Sequence, residues 1–132
     1  MKKLLPLIAI AASFAAALPV EARPRHYHAS YDSGSVVSHP SGCPHRAFCG
    51  CGAAVRVFGT PRRDLWLAAN WLRYPRTLPA PGMVAARHGH VFVIEQVLAN
   101  GNVIAYDANS GRGLTRIHQV SLRGYTVVNP RG

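Results

Sequence analysis

Apolar positions along the chain fall into three regimes. Leu4 to Leu18 is an almost unbroken apolar run behind Lys2 and Lys3, and Val20-Glu21-Ala22 offers a small-residue cleavage site. A positive start, a short apolar stretch and small residues predict a secretory signal over residues 1–22. The run is too short for a comfortable membrane span, and no later segment is longer, so no transmembrane segment is expected once the signal is removed. From Arg23 to Gly42 the chain is rich in His, Ser, Tyr, Gly and Pro without apolar periodicity, which predicts a flexible N-terminal arm over 23–42. One domain over 43–132 remains.

That domain changes period midway. A helix is expected from near Cys49, carrying Ala53, Ala54, Val55, Val57 and Phe58 and closed by Gly59. Thr60-Pro61 reads as an N-cap with proline at the first helical position. The second helix so begun carries Leu65, Trp66, Ala68, Ala69, Trp71 and Leu72, and Pro75 stops it. Its tryptophans read as core and rim packing. After the prolines at 75, 79 and 81 the pattern becomes strand-like: Met83 to Arg87, His90 to Leu98, Asn102 to Asp107, Thr115 to His118 and Tyr125 to Val128. Asn100-Gly101 is a strong hairpin turn, and Ser110 to Gly113 a Gly-rich loop. Helices followed by antiparallel strands give the class α+β, two N-terminal helices packed on a small antiparallel sheet.

Charge narrows the partners. The whole chain carries +10; without residues 1–22 it has thirteen arginines, no lysine and four acids, or +9. An exported protein of that charge meets anionic cell-envelope polymer, and a compositional bias toward arginine produces the same balance. No run of five or six like charges marks a nucleic-acid tail, and no stacking motif appears, so nucleic acid is not an expected partner. His26, His28, His39 and His45 with Cys43 match no zinc spacing, and neither a metal nor another cofactor is expected. Cys-x-Cys also lacks the two-residue spacer of thioredoxin-like redox motifs.

An oxidising compartment favours one pair among three cysteines with one thiol left over, the other reading being an unpaired trio kept reduced or buried. Cys43 bridges either Cys51, freeing Cys49, or Cys49, freeing Cys51; a bridge between the near neighbours Cys49 and Cys51 is disfavoured by geometry. Cys49 and Cys51 both sit where a helix begins, and unpaired N–H groups with partial positive charge there favour thiolate. Gly50 and Gly52 would let a carbonyl substrate approach the backbone, and the N–H at the thiol is a natural oxyanion donor. His90 opens a strand after Arg87-His88-Gly89. The Asn100-Gly101 turn folds the next strand back, so Asp107 and Asn109 are expected beside His90, where either can orient the imidazole. Thiol, imidazole and carboxamide or carboxylate are the parts of a nucleophilic amide-cleaving site.

These residues resemble a known family. The Cys at a helix start, the strand Gly89-His90-Val91-Phe92-Val93-Ile94-Glu95 and the element Asp107-x-Asn109 look like a CHAP domain, the cysteine, histidine-dependent amidohydrolase/peptidase group of the papain-like superfamily. The resemblance covers about residues 43–128. It implies a papain-like fold and cleavage of peptide or amide bonds in peptidoglycan without a cofactor. It implies Cys49 as nucleophile, His90 as base, Asn109 as orienting residue and Asp107 as acidic helper. Phe48-Cys49-Gly50 resembles the aromatic-Cys-Gly entry of some relatives and favours Cys49. The papain-like habit of a disulfide cysteine just upstream of the nucleophile favours Cys51. The stretch between Cys and His is shorter than is usual in the family. The expected protein is thus a periplasmic or secreted cysteine amidase or peptidase. The alternative is a papain-like envelope module that contacts anionic wall polymer without turnover.

Overall fold

Residues 34–132 are described here in a computed structural model. The signal expected over 1–22, and the part of the arm before residue 34 with His26 and His28, lie outside the described residues.

The strand signals build a meander. Four consecutive antiparallel strands run β2 (Val84–Arg87), β3 (His90–Val97), β4 (Val103–Asp107) and β5 (Thr115–Val120). The β3–β4 turn closes as its sequence predicts. Gly101 takes φ 85°, Leu98 N–H donates to the Asn102 carbonyl at 2.8 Å, and the Asn100 side chain accepts from Asn102 N–H. Two further strands extend the sheet. The β1 strand (Ser35–Val37) pairs with β5, and β6 (Thr126–Val128) crosses back to pair with β2. The sheet therefore has six strands in the order β1-β5-β4-β3-β2-β6. Ser35–Val37 falls in the segment read as an arm, and it is an edge strand.

Strand alternation divides the core between the two faces. Val84, Ala86, Val91, Val93 and Tyr106 point to one side, where they meet α1 (Cys49–Phe58), Phe48, Leu65 and Trp71. Ala85, Phe92, Ile94, Val103 and Ala105 point to the other, covered by Tyr125, Val127, Met83 and Leu122. Phe48 and Trp71 are wholly buried, each stabilising the fold by roughly 1.5–3 kcal/mol relative to exposure. A bulge at Glu95 in β3, between the pairs Ile94–Ala105 and Gln96–Ile104, marks where a bidentate Arg56–Glu95 pair ties α1 to the sheet, at 2.7 and 2.9 Å.

The expected pair of helices packed on a small sheet, and the papain-like arrangement with it, is corrected here: one α-helix packs on a six-stranded antiparallel sheet. Residues 60–73 form two short 3-10 turns, Arg63–Leu65 and Ala68–Arg73. The backbone is extended at Arg62 (ψ 114°) and at Leu67 (ψ 120°), which breaks the helix at both places. Side chains then take two carbonyls that an α-helix would use. Asn70 Nδ2 donates to the Asp64 carbonyl and Trp71 Nε1 to the Leu65 carbonyl, both at 2.9 Å. Trp71 is fully buried and Trp66 half-buried, the core and rim roles expected of them.

The glycines of α1 serve packing. A Cβ on Gly50 would overlap the carbonyl oxygens of Leu65 and Trp66, and one on Gly52 would overlap Ala108 Cβ. The open approach expected for a substrate at these glycines is therefore filled by the protein itself. Gly50→Ala should cost about 2 kcal/mol or more in urea unfolding, since backbone carbonyls on the facing segment cannot rotate aside. An unchanged midpoint and slope would contradict this close approach.

Candidate active site

The thiol question resolves through the pairing. Cys43 and Cys51 form a disulfide across eight residues, which removes Cys51 as a nucleophile, and Cys49 is the free cysteine among the described residues. The bridge ties the loop before α1 to its first turn. His39 reinforces that loop: its Nε2 donates to the Cys43 carbonyl at 3.0 Å, and its ring stacks on His45 and meets the edge of Phe48. Cys49 is thereby held as the first residue of α1, 6% exposed. The preceding Ala47 takes φ 46°, a strained conformation for a residue with a Cβ, immediately before the turn into the helix. No side chain caps α1 and no acid occupies its first turn. Its leading N–H groups are thus free to donate to an anion formed at the thiol.

Opposite stands a carboxylate shared by two imidazoles. Asp107 ends β4 and is 5% exposed. Its Oδ1 accepts from His90 Nε2 at 2.7 Å and its Oδ2 from His118 Nε2 at 2.8 Å. Register explains both contacts. The pair Val93–Tyr106, continued by one residue, sets Phe92 opposite Asp107, so His90 is its diagonal neighbour on the same face. On the other side Ala105 pairs with His118, again one diagonal from Asp107. Both carboxylate oxygens are engaged, which fixes the plane of the group.

His90 Nε2 is committed to Asp107, so Nδ1 is the nitrogen left to meet Cys49, which lies near enough to influence the ring. Burial is the largest single influence on the imidazole and favours its neutral form. The hydrogen bond to Asp107, then that to Cys49, with the charges of both, outweigh it and raise the His90 pKa to about 9. The imidazole is therefore a cation at neutral pH. Such a cation can stabilise a neighbouring anion and give a proton to a leaving group.

Asn109 does not take the orienting role that the resemblance implied. The strand ends at Asp107, and Ala108–Asn109 turn away with Asn109 at φ 60°, a conformation asparagine tolerates. The side chain that fixes the far nitrogen of the His90 ring is Asp107, not Asn109. The structure thus brings Cys49, His90 and Asp107 together, places Asn109 in the adjoining turn and locks Cys51 away. His118 went unread in the sequence; the turn through Ser110–Gly113 returns it on β5 to Asp107. Tyr125 also belongs here. Burial pushes its hydroxyl pKa up; the nearby Arg87 opposes this, and the charges of Asp107 and Cys49 add to it.

Although Asp107 joins two imidazoles, no group of three or more His, Cys, Asp or Glu side chains among the described residues is placed to hold a metal ion. No helix among them is long and apolar enough to cross a membrane. Compared with family models, with curated proteins and with solved structures, the chain finds no match.

The raised His90 pKa links protonation to folding. Its unfolded value is about 6.5, so its stabilising effect is complete below that pH and is lost as pH rises through about 9. Unfolding free energy should fall by a few kcal/mol between about pH 6.5 and pH 9, and His90→Gln should flatten most of that slope. Equal slopes in wild type and His90→Gln by urea denaturation would contradict the His90–Asp107 coupling.

Proposed function

We propose that the protein is a cysteine hydrolase of amide or peptide bonds. Cys49 is the nucleophile, His90 the proton carrier and Asp107 the residue that orients and charges His90. The observation that carries this is the free thiol at an uncapped helix start, against an imidazole whose far nitrogen is held by a buried carboxylate. The chemistry is the one implied by the resemblance to CHAP domains, set on a different arrangement of elements.

In the first half-reaction the Cys49 thiolate attacks the amide carbonyl, forming a C–S bond and a tetrahedral oxyanion that the leading N–H groups of α1 can bind. The His90 imidazolium gives its proton to the amide nitrogen, the C–N bond breaks, and the amine leaves a thioester on Cys49. Neutral His90 then takes a proton from water, hydroxide attacks the thioester, and the C–S bond breaks. Thiolate and imidazolium are restored, and no oxidant or reductant is needed. Asp107 sets which ring nitrogen faces the thiol.

The substrate class we favour is the peptide or amide linkage of cell-wall peptidoglycan, met in the periplasm or outside the cell. A signal-like start and a disulfide support an oxidising compartment. The excess of arginine supports contact with an anionic envelope polymer.

Incubation of the folded protein with peptidoglycan fragments, followed by mass spectrometry of the products, tests this. A gain of one water across a defined amide bond is expected. Cys49→Ala should abolish it, and Asp107→Asn should reduce it by about a hundredfold or more, in line with other general acid–base residues. Binding to the polymer without cleavage by the wild type would instead favour the envelope module without turnover.

A further inference from the structure

A cation stands beside the site with no structural task of its own. In the β2–β3 register Arg87 lies directly opposite His90, so the two side chains share a face on neighbouring strands. Arg87 is exposed, yet its position is braced: its guanidinium lies 4.6 Å from the centre of the Tyr125 ring, and that ring packs on Phe92 at 4.8 Å. Phe92 is two residues from His90 on the same side of β3. Tyr125 itself is near enough to feel the charges of Asp107 and Cys49.

The acids of the domain are all engaged elsewhere. Asp64 pairs with Arg62 and Arg73, Glu95 with Arg56, and Asp107 with His90 and His118. Among the described residues no salt bridge reaches Arg87. Some arginines are tied to the fold by a carboxylate or a carbonyl, as Arg56 is to Glu95 and Arg131 to the Val57 carbonyl, whereas Arg63, like Arg87, lies over an aromatic ring, but away from His90. Arg87 is held only through an aromatic face, which leaves its N–H fork free for an incoming anion.

We propose that Arg87, braced by Tyr125, is a specificity-determining residue that binds a free carboxylate of the substrate close to the scissile amide. A planar fork matches a carboxylate with two parallel hydrogen bonds, and the imidazolium one strand away adds to the local positive field. The substrate class is then an acidic peptide, with a carboxylate about one residue from the bond cut. This rests on Cys49, His90 and Asp107 being an amide-cleaving site.

The test uses two alkylating probes of near-equal shape, N-iodoacetylglycine with a carboxylate and N-iodoacetylglycinamide without one. Rates of Cys49 alkylation are measured at pH 7 and low salt in wild type, Arg87→Gln and Arg87→Lys, with the modified residue located by mass spectrometry. Wild type should react about tenfold faster with the anionic probe, a typical size for local electrostatic focusing. Arg87→Gln should lose most of that preference while its rate with the neutral probe stays within about twofold, a difference too small to reflect altered folding. Arg87→Lys should keep part of it. An anionic-to-neutral ratio that is the same in wild type and Arg87→Gln overturns the proposal and leaves the hydrolase function standing. A Cys49 that reacts with neither probe in the folded protein overturns both.

Discussion

The structure turns on one buried carboxylate. Asp107 accepts from His90 on one oxygen and from His118 on the other, and is itself buried. In a low-dielectric setting such charge-assisted bonds are strong, and an unpaired carboxylate would be costly. The pair of imidazoles holds Asp107 in place. In return Asp107 gives His90 its orientation and most of the pull that overcomes burial. Without it, burial, which favours neutral His90, would meet less opposition.

The rest of the fold brings Cys49 to that imidazole. Gly50 lets α1 lie against the carbonyls of Leu65 and Trp66, and Gly52 lets it meet Ala108, the residue after Asp107. The Cys43–Cys51 disulfide and the His39–Phe48 contact fix the approach to the helix, and the Arg56–Glu95 pair fixes its far end on β3. These contacts are strained or crowded at Ala47 and Gly50, as expected where local preference yields to a site. Geometry of this kind suits catalysis because the reacting groups need little reorganisation.

Much of this was legible from short-range rules. The Asn100-Gly101 turn and the alternation on either side of it were enough to set Asp107 near His90, and Gly59 marked the end of α1. Cysteine arithmetic left Cys49 or Cys51 free but could not choose, because spacing alone does not say which thiol faces Cys43. What failed depended on tertiary competition. The segment 60–73 has the apolar content and start signals of a helix, yet Asn70 and Trp71 take backbone carbonyls that the helix needed. Ser35–Val37 lacks a pattern of its own and becomes a strand because β5 offers an edge. Asn109 was assigned by the resemblance, whereas the strand ends two residues earlier and the Asp107 carboxylate there accepts from His90. His118 lay hidden because its partner is set by a loop, Ser110–Gly113, whose path the sequence does not specify.

The central claim is that Asp107 holds His90 as a cation facing Cys49, and an NMR titration of the ring nitrogens of His90 tests it most directly. The account predicts an imidazolium with both nitrogens protonated at neutral pH, a midpoint near the value of about 9, and a marked fall of that midpoint in Asp107→Asn. A neutral His90 at pH 7, with a midpoint at or below about 6.5 that Asp107→Asn leaves unchanged, would contradict it.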